Sequence, residues 1–336
     1  MRYRPIAGTD ISVSEVGFGV WTVSSGWWGE FTDEQAVSLL RQARDLGITL
    51  FDTADTYGNG RGESILKQAF TPAERADLVY SSKFGYDWKA NEGERRAGHR
   101  EAPHRFDVPF LENALHEALE RMGTDHLDVW QMHNVRQSHL ELDDVWTFLD
   151  KVKQAGKVRS IGVALGPAIG WKDEGIYAFR NRPVDVVHMI YNALELDPGR
   201  ELIAAANETG HSLFVRVPHS SGMLEGRYDS ETTFAENDHR NHRPPAWLPN
   251  GLKKIQQLDF LTEGTGRTLA QAALRYVLYD DAVAAAMPNI YNAEQLVEFA
   301  GASDVSDLNA DDVRRIGELF DVNYGLPREV EQAIAR

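Results

Sequence analysis

Cysteine is absent from the sequence. Disulfides, thiolate metal sites and cysteine nucleophiles are therefore excluded. Long apolar runs are absent too. Residues 282–287 form one of the longer ones, far short of a membrane span. The opening MRYRPIAGTD has no apolar signal-peptide core. A cytoplasmic protein with no membrane association is expected. Positive charge is in deficit, with 35 Lys and Arg against 51 Asp and Glu, for a net charge of −16. That balance disfavours nucleic acid and anionic membranes as partners and reads as a well-solvated acidic surface. There is no internal repeat, low-complexity tract or evident linker, so residues 1–336 are expected to form one barrel-sized domain. No Gly-x-Gly-x-x-Gly follows the first candidate strand, which argues against a doubly wound dinucleotide-binding sheet.

What is present is alternation. Short apolar runs at 14–21, 48–54, 77–84, 127–134, 159–165, 184–192, 212–218 and 282–288 read as strands. Amphipathic stretches lie between them. The stretch from Thr32 to Gly47 opens on a capping-box pattern, Thr32 with Gln35, and stops at glycine. Residues 106–123, 141–157 and 199–210 carry helical spacing, and Asn292 and Asn309 are candidate N-caps. Parallel strands need helix-length crossovers and are covered on both faces. Eight strand–helix units therefore predict an α/β fold, a (β/α)8 TIM barrel. The long irregular pieces, 86–106 and 219–248, are strand-to-helix loops, which in a barrel lie on the catalytic face.

Polar residues stop three consecutive strands. Asp52 ends the second, in LFDTADTYG, with Tyr57 in the loop beyond. Lys83 ends the third, in YSSKFGY, and His133 ends the fourth, in VWQMHN. Barrel strands bring their C-terminal ends to one face, so these side chains can converge. Hydride addition to a carbonyl makes an alkoxide that needs a proton and charge stabilisation. A tyrosine, with an unperturbed pKa of roughly 10, becomes a better proton donor beside a lysine cation. An aspartate keeps that lysine charged, and a histidine can hydrogen-bond and orient the carbonyl.

GITLFDTADTYGNGRGES, SSKFGY, RMGTDHLDVWQMHN and FVRVPHSSGMLEGRY, taken in order, resemble the signatures of the aldo-keto reductase family, and the similarity spans essentially the whole chain. The resemblance implies a (β/α)8 barrel with a short N-terminal β-hairpin, about residues 1–12. It implies Asp52, Tyr57, Lys83 and His133 as the catalytic four, with Tyr57 as general acid/base and no metal. It implies a nicotinamide cofactor, NAD(P)H, extended across the top of the barrel. The cofactor would be bordered by Gly19, Val20, Trp21 and Asp52, then by Ala164, Leu165 and His188, then by Arg216, Val217, Pro218, Ser220, Gly222 and Leu224. Pro288, Asn289, Ile290, Tyr291, Gln295 and Glu298 complete that border. The substrate, an aldehyde, ketone or sugar-like carbonyl, would meet Tyr57, His133 and aromatics among Trp21, Trp27, Trp28, Phe84 and Trp88.

The cofactor side departs from the family pattern. Ala164 and Leu165 stand where Ser-Asn is usual, His188 where Gln is usual, and Arg216 where Tyr is usual. An amide buried without partners costs about 1–3 kcal/mol, so backbone, His188 or water must replace the missing groups, or the nicotinamide sits differently. After the eighth strand Asn289 replaces a glycine, Tyr291 a basic residue and Phe299 an asparagine. Loss of a charge-assisted contact to a 2′-phosphate favours NAD(H) slightly over NADP(H), although the basic stretch 238–245 could supply cations from another direction. A second basic cluster, 94–105, could attract an anionic substrate. Two alternatives use the same barrel: a redox-neutral sugar lyase or isomerase, and a non-catalytic regulatory subunit. The sequence sets no oligomeric state.

Overall fold

The computed structural model describes residues 1–90, 102–166 and 171–327. Strands β1 (Tyr3–Pro5) and β2 (Ser12–Ser14) form an antiparallel hairpin. Eight strands follow: β3 (Phe18–Gly19), β4 (Leu50–Asp52), β5 (Val79–Phe84), β6 (Leu127–His133), β7 (Val158–Ala164), β8 (Val186–Ile190), β9 (Ser212–Arg216) and β10 (Val283–Met287). They pair in parallel, each with its successor. A bridge between Val16 and Ala286 closes the ring. There the Gly17 N–H donates to Ala286 O at 2.9 Å and the Ala286 N–H to Glu15 O at 2.8 Å. The expected (β/α)8 barrel with its N-terminal hairpin is the observed fold.

The helix boundaries follow local chemistry. Asp33–Asp45 starts on the Thr32–Gln35 capping box. Asn292 and Asn309 cap Ala293–Ala300 and Ala310–Asp321, and Val108–Met122 ends at Gly123 in the left-handed conformation. Another capping box, Thr268 with Gln271, starts Leu269–Val277. The first strand is shorter than the 14–21 run. Ser14 belongs to the hairpin, and Val20 turns into helical φ/ψ ahead of the turn Trp21–Ser24. The sixth barrel strand is trimmed to Val186–Ile190 from the expected 184–192.

Alternate strand residues point to opposite faces. On the inner face Leu50, Val79, Val129, Val186, Phe214 and Met287 pack with Ile6, Ile11 and Val13 of the hairpin region, which plugs the barrel floor. Two residues further along the same strands the inward positions turn polar: Asp52, Ser81, Gln131 and His188. The interior is thus apolar at one end and polar at the other. Among the described residues no helix is long and apolar enough to cross a membrane.

Candidate active site

At the polar end the buried Lys83 ammonium forms an ion pair with Asp52 Oδ2 at 2.5 Å and donates to Thr53 O at 2.8 Å. The Tyr57 hydroxyl is its remaining side-chain partner, and the Tyr57 ring centroid lies 5.0 Å from Nζ. Burial alone would discharge this lysine. Asp52 and Tyr57 outweigh it and hold the ammonium above its ordinary range. Asp52 Oδ1 is held separately, by Ser81 Oγ at 2.8 Å and Gln131 Nε2 at 3.0 Å. Gly162 leaves space for Gln131, since a Cβ there would sit 2.7 Å from its Cγ.

Tyr57 rides on a tight turn. Its N–H donates to Ala54 O and its carbonyl accepts from Gly62 N–H. Gly58 has φ +59°, and a Cβ there would lie 2.3 Å from Ser24 O, so the turn needs glycine. The helix Arg61–Ala69 that follows is pinned through Glu63, fully buried, which accepts from Ser82 Oγ at 2.5 Å and Arg121 Nε at 2.6 Å. His133 packs its ring edge-on to Tyr57, with centroids 6.0 Å apart. Burial, then the charges of Lys83, Arg216 and His104, hold His133 well below the usual imidazole range, so it is neutral. Its Nδ1 is buried, with no hydrogen-bond partner among the described residues.

Across the barrel His188 sits in register with Ala164 and Phe214. It is 2% exposed, and among the described residues neither ring nitrogen has a hydrogen-bond partner. Burial and the charges of Lys83 and Arg216 keep it neutral, so it offers one donor and one acceptor. Arg216 Nη2 donates to Leu165 O and Gly166 O at 2.7 and 2.8 Å. Beyond it the chain runs through Val217, Ser220, Ser221 and Gly222, all at positive φ. Non-glycine residues held there store strain of the kind that clusters at ligand clamps.

The loop after β9 then folds back over the mouth. The His239 N–H donates to Trp27 O at 2.9 Å, and its ring meets Trp21 at 5.5 Å. The Arg240 guanidinium lies over Trp28 at 4.6 Å, and Trp28 stacks on Tyr291 at 5.8 Å. Beneath, Gln295 Oε1 accepts from the Tyr291 N–H and its Nε2 donates to Glu225 Oε2. Burial pushes the Glu225 carboxyl up to about 7, and its Oε1 has no partner among the described residues.

Residues 15–321 match the family model described as Aldo/keto reductase family. The chain belongs to the aldo/keto reductase family. This aldo/keto reductase is 27% identical over 329 residues to aldo-keto reductase YhdN of Bacillus subtilis, covering 96% of this chain and 94% of that protein. It is 24% identical over 344 residues to the NADH-specific methylglyoxal reductase of Escherichia coli, covering 100% of each. Its fold matches that of the glycerol dehydrogenase AKR11B4 from Gluconobacter oxydans with a TM-score of 0.80, at 22% identity over 98% of each chain.

Asp52, Tyr57, Lys83 and His133 thus meet at one end of the barrel of this aldo/keto reductase, and Trp21, Trp27 and Trp28 group around His239 of the returning loop. Phe84 does not join them. With Lys83 facing inward Phe84 faces outward, and it packs on Trp130 at 3.9 Å between sheet and helices. Its expected place against substrate is corrected to the core. Trp88 carries Lys89 over its ring. Gly19 and Val20 follow the closing bridge, with Val20 N–H on Asp52 O. Leu165 offers only its carbonyl toward Arg216, because its side chain packs outward beside Gly175. Leu224 and Ile290 are fully buried in the outer core, and Pro288 is buried as well. Pro218 is buried, and Asn289 is partly exposed beside Ile290. Gln295 is engaged internally, and Glu298 pairs with Arg227 at 2.7 Å. Of the basic cluster 94–105, residues 94–101 lie outside the described residues. Sequence reasoning missed Ser81 and Gln131, although each lies two residues before a proposed site residue and shares its face.

Proposed function

We propose that this protein is a NAD(P)H-dependent oxidoreductase that reduces an aldehyde, ketone or sugar-like carbonyl, or oxidises the corresponding alcohol. The observation that carries the reading is the buried Lys83 ammonium shared between Asp52 and Tyr57, with a neutral His133 alongside. Tyr57 donates its proton to the carbonyl oxygen as negative charge develops there. Lys83 stabilises the phenolate left behind, and Asp52 keeps Lys83 charged. A neutral imidazole at position 133 orients the carbonyl by donating a hydrogen bond. In the oxidative direction the same groups return the proton.

A bound nicotinamide supplies the hydride. The residues present fit such a group. His188 has a donor and an acceptor unpartnered, which suits a carboxamide and replaces what Ala164 and Leu165 cannot offer. NAD(H) is favoured over NADP(H), because Tyr291 stands where a cation would meet a 2′-phosphate and the guanidinium over its ring, Arg240, is already paired with Asp238 at 2.6 Å.

The test is calorimetric titration with NAD, NADH, NADP and NADPH, paired with turnover of a carbonyl panel. NADH should bind more tightly than NADPH, and Tyr57→Phe should bind NADH like wild type while losing about 10²–10⁴ in kcat. Absence of binding to all four nucleotides refutes the reading. Conversion of a sugar in rigorously nucleotide-free protein would instead favour the redox-neutral alternative.

A further inference from the structure

The last residue of β9 is a cation held without an anion. Phe214 packs inside the barrel, so Arg216, two residues on, faces the same way at the mouth. Its register neighbours are Ile190 on β8 and Met287 on β10, neither of them charged. The side chain reaches past β8 to the end of β7, where Nη2 donates to Leu165 O at 2.7 Å and to Gly166 O at 2.8 Å. Leu165 follows Ala164, which is in register with His133 on one side and His188 on the other. The guanidinium is thereby fixed at the strand ends just beyond those two imidazoles. Among the described residues its Nε and Nη1 have no acceptor, and no carboxylate forms an ion pair with it.

The acids around it are engaged elsewhere. Asp52 gives Oδ2 to Lys83 and Oδ1 to Ser81 and Gln131. Glu195, in the loop after β8, serves Asn192 Nδ2 at 2.6 Å and Ser220 Oγ at 3.3 Å. Burial, and then Glu63, push Asp55 well above the usual carboxylate range, toward its neutral form. His133 and His188 are neutral. Burial opposes the charge on Arg216, with Tyr57, Asp52 and Tyr86 the groups that favour it, and an arginine keeps its charge in such a setting. Two cations, Lys83 and Arg216, therefore share one carboxylate, Asp52. The reaction centre has an excess of positive charge in a chain whose net charge is −16.

Hydride passes only at contact distance. A nicotinamide ring serving a carbonyl held by Tyr57 and His133 therefore lies among the groups that feel this guanidinium. Such a ring is neutral when reduced and carries a positive charge when oxidised, so a fixed cation acts unequally on its two forms. We infer that Arg216 makes the site select the reduced dinucleotide over the oxidised one, which sets the protein to work as a carbonyl reductase rather than as an alcohol dehydrogenase. This rests on the nicotinamide reading above. The overall equilibrium of the reaction is untouched. What changes is occupancy: reduced nucleotide loads in the presence of oxidised, and the oxidised product leaves readily.

Wild type, Arg216→Gln, Arg216→Lys and Arg314→Gln are titrated calorimetrically with NADH and NAD, and with NADPH and NADP. Turnover is measured with pyruvate beside neutral carbonyls. The readout is the ratio of the two dissociation constants within each couple. Wild type should hold the reduced form about 10- to 50-fold more tightly, the repulsion expected between nearby charges in a partly buried site. Tenfold in that ratio corresponds to about 30 mV in the potential of the bound two-electron couple. Arg216→Gln should bring the ratio close to unity. Arg216→Lys should keep most of it, because the charge remains although the fork to Leu165 and Gly166 is lost. Arg314 is exposed on the helix Ala310–Asp321, so Arg314→Gln makes the same charge change far from the mouth and should match wild type. Equal affinity of wild type for the two forms overturns the inference without any variant. So does an Arg216→Gln protein in which both forms weaken by one factor, because that outcome reports lost packing at Leu165. So does an Arg216→Gln defect confined to the KM of pyruvate, which would make Arg216 a reader of substrate charge. Wild type that binds neither couple overturns the proposed function and this inference together.

Discussion

Replacing Lys83 by methionine should do two separable things. Lys83 and Asp52 are 1% and 4% exposed. Lys83→Met keeps the apolar stem but leaves Asp52 Oδ2 as a buried carboxylate oxygen without its cation. Ser81 and Gln131 still serve only Oδ1. Removing one partner of a buried pair costs about 3–5 kcal/mol. The lost bond to Thr53 O adds about 1 kcal/mol. A domain holds about 5–15 kcal/mol in total, so the variant should be visibly destabilised. The second change, Asp52→Asn in the Lys83→Met background, removes the orphaned charge. It should recover about 2 kcal/mol or more, since a neutral amide can still meet Ser81 and Gln131. Activity should not recover, because Tyr57 has lost its cation in both variants; kcat should stay down by about 10²–10⁴. Urea unfolding followed by the fluorescence of the eight tryptophans gives stability, and NADH oxidation gives turnover. If the double variant is no more stable than Lys83→Met, the cost lies in lost packing and the electrostatic argument is wrong. If activity returns with stability, Lys83 is a structural residue.

Phe84→Ala should cost about 3–5 kcal/mol as a core truncation while leaving substrate KM unchanged; a several-fold rise in KM at unaltered kcat would return the ring to the mouth. His219 is 2% exposed and donates from Nε2 to Ala270 O at 3.0 Å; burial holds it at about 4, against 6.5 for a free imidazole. Between those values the unfolded chain takes up a proton that the folded protein refuses, so stability falls as pH drops through the window and is level above it. The loss across that window is worth about 3 kcal/mol. His219→Leu should flatten the stability profile between pH 4.5 and 6.5, although the missing bond to Ala270 O lowers its level at pH 7; parallel profiles for the two proteins would reject the assignment.

Much of this was readable before any coordinates. Asp52, Lys83 and His133 announce themselves because a charged or titratable side chain at the end of an apolar run has few reasons to be there, and parallel strands carry such ends to one face. The same period of two already held Gln131 and Ser81, two residues behind His133 and Lys83, and already placed Phe84 on the opposite face from Lys83. Motif adjacency outweighed parity in that case. The far side of the mouth was less legible for a physical reason. Residues 219–248 have no hydrophobic period, so nothing local shows that Arg240 will lie over Trp28 or that Asp238 rather than a ligand will neutralise it. The contact of Arg240 with Trp28 joins segments about 200 residues apart and exists only once the barrel has placed both loops on one rim.

The ring of strands has a temporal consequence. Its seal joins Val16 to Ala286, and it is reinforced beneath by Arg275 on Glu15 at 2.5 Å, a bond between residues 260 positions apart. Ribosomes add about 5–20 residues per second, so β3 waits roughly 15–50 s for β10. Throughout that interval the growing sheet is open, with an unpaired strand at each edge and its polar mouth incomplete. Such edges are templates for pairing with other chains, and contacts of this sequence separation form slowly. The nascent chain, rather than the finished barrel, is therefore where this protein is most exposed to misassociation.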